Sequence, residues 1–160
     1  SYFNNLSFCY NFEMQTKIPP PIVTLIFVGI LYLSNSLITP FELAYQSIIG
    51  IFLILSGLGI LIASVRVFRK VGTTVNPVDP DQASMLVVEG PFTFSRNPMY
   101  LGMSEMLIGF GFIFGAWLTL PIVALFMIYI TIFQILPEEA VMKEKFADYD
   151  EYCSKVRRWI

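Results

Sequence analysis

The chain has 160 residues, of which 56% are hydrophobic and only 14% are charged. Soluble domains normally carry about 25% charged residues, so this composition excludes an ordinary water-soluble domain. The chain contains no histidine, which excludes histidine as a general base or metal ligand. Its net charge of −2 carries little information, and we predict no metal and no nucleic-acid partner.

Four apolar stretches are long enough, or nearly so, to cross a bilayer. A helix rises about 1.5 Å per residue, so a span needs roughly 20 apolar residues. A helix also pairs its backbone polar groups internally, as the bilayer requires. We therefore predict an all-α integral membrane bundle of about four transmembrane helices, with a cytoplasmic loop and a C-terminal amphipathic helix. The predicted spans are residues 22–38, 43–65, 99–115 and 119–136.

The chain divides into an N-terminal extension, residues 1–17, and one membrane domain, residues 18–160. Residues 1–13 lack the basic segment and small-residue cleavage site of a signal peptide. Met14 could be the natural start. Cys9 and Cys153 are far apart and form no C-x-x-C pair, so we expect both to be free thiols.

All ten lysine and arginine residues can lie on one side of the membrane. Lys17 precedes the first span, four basic residues lie between the second and third, and five follow the fourth. The positive-inside rule then predicts that both termini and the central loop are cytoplasmic. The short chain suggests a prokaryotic inner membrane.

Two features of the first half of the chain bear on packing and on ligand binding. The second span contains Gly57 and Gly59, and small residues in membrane helices more often allow close helix packing than bind ligands. The polar segment after it, residues 71–98, is rich in turn-forming residues. Because Phe92 and Phe94 could anchor this segment, we expect it to form an ordered lid.

The C-terminal part begins at Pro137, which we predict ends the fourth helix because proline lacks a backbone N–H. Residues 138–146 separate apolar from charged side chains and predict an amphipathic helix. Tyr149 and Tyr152 would follow it along the membrane surface or over the mouth of the bundle.

Three groups of polar residues could carry chemistry, each with a simpler alternative. Arg96 lies at the start of the third span, where a helix N-terminus favours an anion, although it could equally be an interfacial arginine beside a helix cap. Glu138 and Glu139 could bind a polar ligand or simply stabilise the next helix dipole. Glu105 falls about two turns into the third span, where an unpaired charge costs several kcal/mol and indicates a functional role, although Glu105 could instead lie near headgroup level.

Taken together, these segments resemble a known family. Residues 86–100, the following helical hairpin, residues 137–139 and the aromatic residues after them resemble the isoprenylcysteine carboxyl methyltransferase family. They are also similar to the phospholipid methyltransferases. The resemblance covers residues 66–159 and implies a membrane enzyme that binds S-adenosylmethionine on the cytoplasmic side, between residues 66–98 and 137–160.

The resemblance also implies which residues bind the cofactor. They comprise the segment before the glycine at position 90, an aromatic residue after it, the family's Arg-His-Pro-x-Tyr motif, a Gly-x-Gly motif in an earlier helix, and paired glutamates. In this sequence they are Ser84, Met85, Leu86, Val87, Phe92, Arg96, Asn97, Pro98, Met99, Tyr100, Glu138, Glu139, Gly57 and Gly59.

Two departures from the family pattern affect the expected chemistry. Asn97 replaces the family histidine, and an amide can hydrogen-bond but cannot titrate near neutral pH. Gln134 stands where the eukaryotic isoprenylcysteine enzymes have a substrate-binding arginine. We expect Gln134 and Arg157 to contact the substrate, which the sequence does not identify. The candidates for assisting proton transfer are Tyr100, Glu105 and Glu139.

The expected function is S-adenosylmethionine-dependent methyl transfer to a membrane-embedded or amphiphilic small acceptor, with a carboxylate, thiol or amine as nucleophile. Such a displacement requires alignment and exclusion of water rather than a covalent intermediate. Two alternatives remain open. One is a membrane oxidoreductase like the sterol reductases, which would need a nicotinamide dinucleotide; the other is a non-enzymatic membrane scaffold subunit.

Overall fold

A computed structural model describes residues 18–71 and 85–160, with the side chain of Val71 excepted. These residues form helices joined by turns, and the described ranges contain no β-strand, which confirms the all-α prediction. The elements in chain order are α1 (Pro20–Ser34), α2 (Gln46–Val71), a 3₁₀ turn (Gly90–Thr93), α3 (Pro98–Phe114), α4 (Thr119–Ile130), a π segment (Thr131–Ile135), α5 (Leu136–Lys145) and α6 (Tyr149–Lys155).

Proline and glycine set several of the helix ends. Pro20 and Pro98 are the first residues of α1 and α3, where the missing N–H has no helical partner to lose. Gly115 ends α3 with a left-handed φ of 66°, and its N–H bonds to carbonyls of the last turn. A tight turn then leads into α4.

Helices α2 and α3 form the closest helix pair, since glycines on each meet the backbone of the other. A Cβ atom added to Gly57 would lie 2.5 Å from the carbonyl oxygen of Gly102. A Cβ added to Gly50 would lie 2.7 Å from the carbonyl oxygen of Gly109. These two pairs let the backbones touch, which is the usual role of small residues between membrane helices.

The core lies between α1, α3 and α4. Leu31, Leu107 and Phe126 are fully buried there, whereas Phe52 and Leu55 on α2 are 68% and 62% exposed. Large exposed apolar side chains on a helix of mean hydropathy 2.7 indicate a lipid-facing surface rather than a water-facing one.

Two helices are long and apolar enough to cross a membrane, Gln46–Lys70 and Thr119–Lys145. Helices α1 and α3 are apolar but have only 15 and 17 residues. The prediction of apolar membrane helices is thus confirmed for two elements, while the full set of four spans and the side on which each end lies stay predictions. The predicted free thiol of Cys153 is confirmed, and Cys9 lies outside the described residues.

The prediction that Pro137 ends the fourth helix is wrong. The helix runs from Thr119 to Lys145 through Pro137. Because Pro137 has no N–H to give to Phe133, the preceding turn widens into a π segment, in which the N–H of Leu136 bonds to the carbonyl of Thr131. The proline therefore changes the register of the helix without ending it.

Candidate functional site

A pocket lies at the end of the bundle where α2 ends, α3 begins and α5 begins. Its cavity volume is about 100 Å³. Most of its lining comes from the segment before α3 and from the helices that follow the π segment. The lining residues are Phe68, Met85, Leu86, Val87, Phe92, Arg96, Asn97, Pro98, Met99, Tyr100, Glu138, Glu139, Met142, Tyr149 and Tyr152.

One wall of the pocket is fixed by an aromatic contact. Phe92 is 5% exposed and packs edge-on against Phe68 of α2, with ring centroids 5.1 Å apart. The turn that carries Phe92 begins at Gly90, whose φ of 59° favours glycine. Phe94, the other expected anchor, is 47% exposed. Of these two aromatic residues, Phe92 is the buried one, and residues 72–84 of the expected lid lie outside the described residues.

An ion triad of Arg96, Glu139 and Arg158 borders the pocket. Arg96 Nη2 donates to Glu139 Oε1 at 2.9 Å. Arg158 binds the same carboxylate with two nitrogens, Nη2 to Oε2 at 2.7 Å and Nε to Oε1 at 3.1 Å. Charge-assisted bonds of this bidentate kind are strong and directional. Since two guanidinium groups share one carboxylate, the triad keeps a net positive charge of one.

Arg96 lines this pocket and has one donor without a partner. Its side chain is 12% exposed, and its Nε atom is the one buried side-chain nitrogen or oxygen of the described residues without a hydrogen-bond partner. A buried polar group without a partner costs about 1–3 kcal/mol. An anionic ligand in the pocket could accept this hydrogen bond and neutralise the charge of the triad.

A hydrogen-bonded pair, Tyr100 and Glu138, lines the same pocket. The Tyr100 hydroxyl donates to Glu138 Oε1 at 2.6 Å, which fixes the carboxyl group while its other oxygen can accept further bonds. The pocket thus combines a cationic donor at Arg96 with an acidic acceptor at Glu138. Within residues 18–71 and 85–160, no group of three or more Cys, Asp or Glu side chains could hold a metal ion.

The C-terminal residues 149–160, here called the C-terminal strap, close the pocket from one side. The hydroxyl of Tyr152 donates to the carbonyl of Phe92 at 2.7 Å. The side-chain amide of Asn97 donates to the carbonyl of Arg158 at 3.0 Å. Asn97, which replaces the family histidine, therefore ties the strap to the start of α3.

Three ionisable groups of the strap, Tyr149, Tyr152 and Arg158, have raised pKa values. Burial raises the pKa of Tyr152 to about 12, partly opposed by the charge of Arg96. Burial, and then the negative charge of Glu139, raise the pKa of Tyr149 well above its usual range. The hydrogen bonds to Glu139 raise the pKa of Arg158. Both phenols therefore stay neutral and the guanidinium stays charged.

Most of the residues predicted to bind the cofactor line this pocket, and two glycines do not. Ser84 lies outside the described residues. A Cβ added to Gly57 would meet Gly102 of α3, and a Cβ added to Gly59 would meet nothing within 4 Å. Neither glycine lines the pocket. The assignment of the remaining residues to cofactor binding stays a prediction.

The other predicted residues lie away from the pocket or only border it. Glu105 is half-buried on α3 and does not line the cavity. Gln134 is buried in the π segment, where its amide donates to the carbonyl of Ile18 at 3.3 Å. Arg157 is exposed, and its carbonyl accepts from the backbone N–H of Arg96 at 3.0 Å.

Three contributors were not assigned by sequence reasoning. Phe68 and Met142 line the pocket, and Arg158 holds Glu139. Phe68 belongs to a helix whose other residues are mostly apolar, so nothing local distinguishes it. Arg158 neighbours the exposed Arg157, and only the tertiary structure tells the two arginines apart.

One comparison with known proteins gives a match, and it is to a family model. A family model described as phospholipid methyltransferase matches residues 45–149, well over half of the chain. The matched residues include α2 through α5 and therefore the pocket residues from Phe68 to Tyr149. No curated protein and no solved structure gives a significant match. The match confirms the resemblance seen in the sequence.

Proposed function

The chain belongs to the phospholipid methyltransferase family, and we propose that it is a membrane methyltransferase that binds S-adenosylmethionine in the pocket beside Arg96. The acceptor is an amphiphilic or lipid molecule that reaches the pocket from the bilayer at the cytoplasmic face. The unpartnered Nε of Arg96 carries the proposal, because a buried cationic donor without a protein acceptor suits an anionic ligand.

The donor set of the pocket fits the amino-acid part of this cofactor. The α-carboxylate would accept from Arg96, whose triad has one positive charge in excess. The ammonium group would find an acceptor in Glu138, which Tyr100 holds in place. A zwitterion thus matches the pocket better than a simple anion does, because its carboxylate and its ammonium group would each have a hydrogen-bond partner.

The apolar part of the lining suits the nucleoside. Phe68, Phe92 and Tyr152 provide aromatic surface, and Met85 and Met142 provide flexible thioether side chains that adapt to a ligand. The two sides of the pocket are held by the Phe68 contact and by the C-terminal strap. Ligand pockets commonly combine such an apolar lining with a few polar groups.

When bound, S-adenosylmethionine supplies an electrophilic methyl group. The residues of this chain would orient the two reactants and exclude water, which are the main requirements of an in-line displacement. The Tyr100 hydroxyl already donates a hydrogen bond to Glu138, so Tyr100 acts first as a positioning group. Glu139 is occupied by two arginines and is therefore a poor candidate for proton transfer.

Calorimetric titration of the purified protein in detergent with S-adenosylmethionine tests this function. We expect saturable binding at one site per chain. The Glu138→Ala variant should weaken binding by about tenfold or more, since it removes the carboxyl group that would accept from the ammonium group. Glu144→Ala is the matched control, because Glu144 lies on the same helix, is exposed and does not line the pocket.

Two results would contradict the proposal. Wild-type protein that gives no saturable heat with S-adenosylmethionine would remove the proposed cofactor. Equal affinities of the wild-type and Glu138→Ala proteins would remove Glu138 from the site. A parallel titration with nicotinamide dinucleotides tests the oxidoreductase alternative, and saturation by those compounds alone would support that alternative instead.

A further inference from the structure

Arg158 contributes to the pocket although it does not line it. Its guanidinium binds both oxygens of Glu139, and Glu139 in turn accepts a hydrogen bond from Nη2 of Arg96. Arg158 lies beyond residues 45–149, the part of the chain that the family model matches. Its relation to the site therefore rests on the contacts of this chain alone.

We propose that Arg158 is a positioning residue that acts through Glu139 to fix the guanidinium of Arg96, so that Nε faces the carboxylate of the bound cofactor. The inference rests on the proposed function, because it assigns a task to Arg158 only if the pocket binds that carboxylate. Arg158 would thereby determine how well the site recognises the amino-acid part of its ligand.

The restraints on Arg96 explain why Arg158 matters. Among the described residues, the Arg96 side chain has one hydrogen bond besides those to Glu139. Its Nη1 donates to the carbonyl of Cys153 at 3.4 Å, which is long and weak. Glu139 therefore provides the main restraint. A carboxylate held on one edge by a bidentate guanidinium has a fixed plane, and this plane fixes the direction of the bond to Arg96.

Arg158 is itself held in place through its backbone. Its carbonyl accepts from the side chains of Asn97 at 3.0 Å and Ser95 at 3.4 Å, both in the segment that carries Arg96. The end of the strap and the start of α3 therefore form a closed ring of contacts. Removing the Arg158 side chain would leave these backbone bonds in place while freeing Glu139 to rotate.

Loss of Arg158 also changes the charge beside Arg96. Two guanidinium groups now share one carboxylate, so Glu139 divides its hydrogen bonds between them. With Arg158 removed, Glu139 could turn fully onto Arg96 and pair with Nε as well as Nη2. The Nε of Arg96 would then be paired with Glu139 and not with the ligand, which would weaken binding of a carboxylate specifically.

The test compares two ligands that differ in the amino-acid part. S-adenosylhomocysteine has the carboxylate, and 5′-methylthioadenosine lacks the whole amino-acid group. For the Arg158→Ala variant in detergent, we expect the affinity for S-adenosylhomocysteine to fall by about tenfold, a size typical of a lost charge-assisted bond. The affinity for 5′-methylthioadenosine should stay within about twofold.

Two further variants separate positioning from folding. Arg158→Lys keeps the charge but cannot bind bidentately, so it should fall between the wild-type and alanine proteins. It also serves where the alanine variant fails to fold. Lys155→Ala is the control in the same strap, since Lys155 is exposed and pairs with the exposed Glu151 at 2.6 Å. This variant should bind both ligands as the wild type does.

The outcomes distinguish this inference from the function on which it rests. A selective loss of S-adenosylhomocysteine affinity supports positioning. A parallel loss of affinity for both ligands would mean that Arg158 only holds the strap closed. No loss of affinity for either ligand would remove Arg158 from the site. Both results would overturn the inference and leave the proposed cofactor unaffected. Failure of the wild-type protein to bind S-adenosylhomocysteine would instead overturn the proposed function itself.

Discussion

Replacing Gly57 by alanine would force α2 and α3 apart at their closest contact. The added Cβ atom would lie 2.5 Å from the carbonyl oxygen of Gly102, about 0.9 Å inside the 3.4 Å at which ordinary contact begins. The obstacle is backbone and cannot rotate away, so the helices must separate locally. Overpacking of this kind costs about 1–3 kcal/mol, and we expect a value near 2 kcal/mol for Gly57→Ala.

Thermal unfolding in detergent measures this effect, with Gly59→Ala as the matched control. Gly59 is two residues along the same helix, and nothing lies within 4 Å of its added Cβ. Gly57→Ala should lower the Tm by roughly 4–8 °C, whereas Gly59→Ala should leave it unchanged or raise it, because alanine favours helix over glycine by about 1 kcal/mol. Equal Tm values for the two variants, or a larger loss for Gly59→Ala, would refute the reasoning.

Two further predictions concern the walls of the pocket. Tyr152→Phe removes the hydrogen bond to the Phe92 carbonyl. The loss should lower stability by about 1–2 kcal/mol and speed amide hydrogen exchange in the strap. Unchanged exchange would show that this bond does not hold the strap. The pKa of Tyr152 is raised to about 12, so the bond should persist below pH 10 and be lost as pH rises through about 12. Phe92→Ala should lower stability by about 3–4 kcal/mol, against less than about 0.5 kcal/mol for the exposed Phe94→Ala, as measured by chemical unfolding; similar losses would contradict the anchoring role of Phe92.

Hydropathy alone predicted the helical class and much of the layout, because apolar runs of helical length have few alternatives in a bilayer. The sequence-based prediction failed at Pro137, because the rule that proline ends a helix did not hold there. The structure keeps the helix by widening one turn, with Leu136 bonded to Thr131. Such a π segment depends on packing around the turn, which the sequence does not display.

The Gly-x-Gly motif shows a second limit. Gly57 and Gly59 are equivalent in the motif, but residues two apart on a helix point about 200° away from each other. One glycine meets α3 and the other meets open space. Their different roles follow from where α3 packs, and neither places a side chain in the pocket.

The candidate site was partly predictable. The motif from Arg96 to Tyr100 and the pair Glu138 and Glu139 line one pocket, which the sequence anticipated by placing both segments on the same side. The partners within that pocket were not predictable, because Arg96 and Glu139 are 43 residues apart and Arg158 is 19 residues beyond Glu139. Side-chain geometry alone assigns the shared carboxylate and the free Nε.

The most direct test of the central claim is an experimental structure of the full chain with S-adenosylhomocysteine bound. The account predicts that the ligand occupies the pocket between Phe92 and Glu138, with its carboxylate within hydrogen-bond distance of Arg96 Nε. A ligand bound elsewhere, or bound with its carboxylate away from Arg96, would contradict the account.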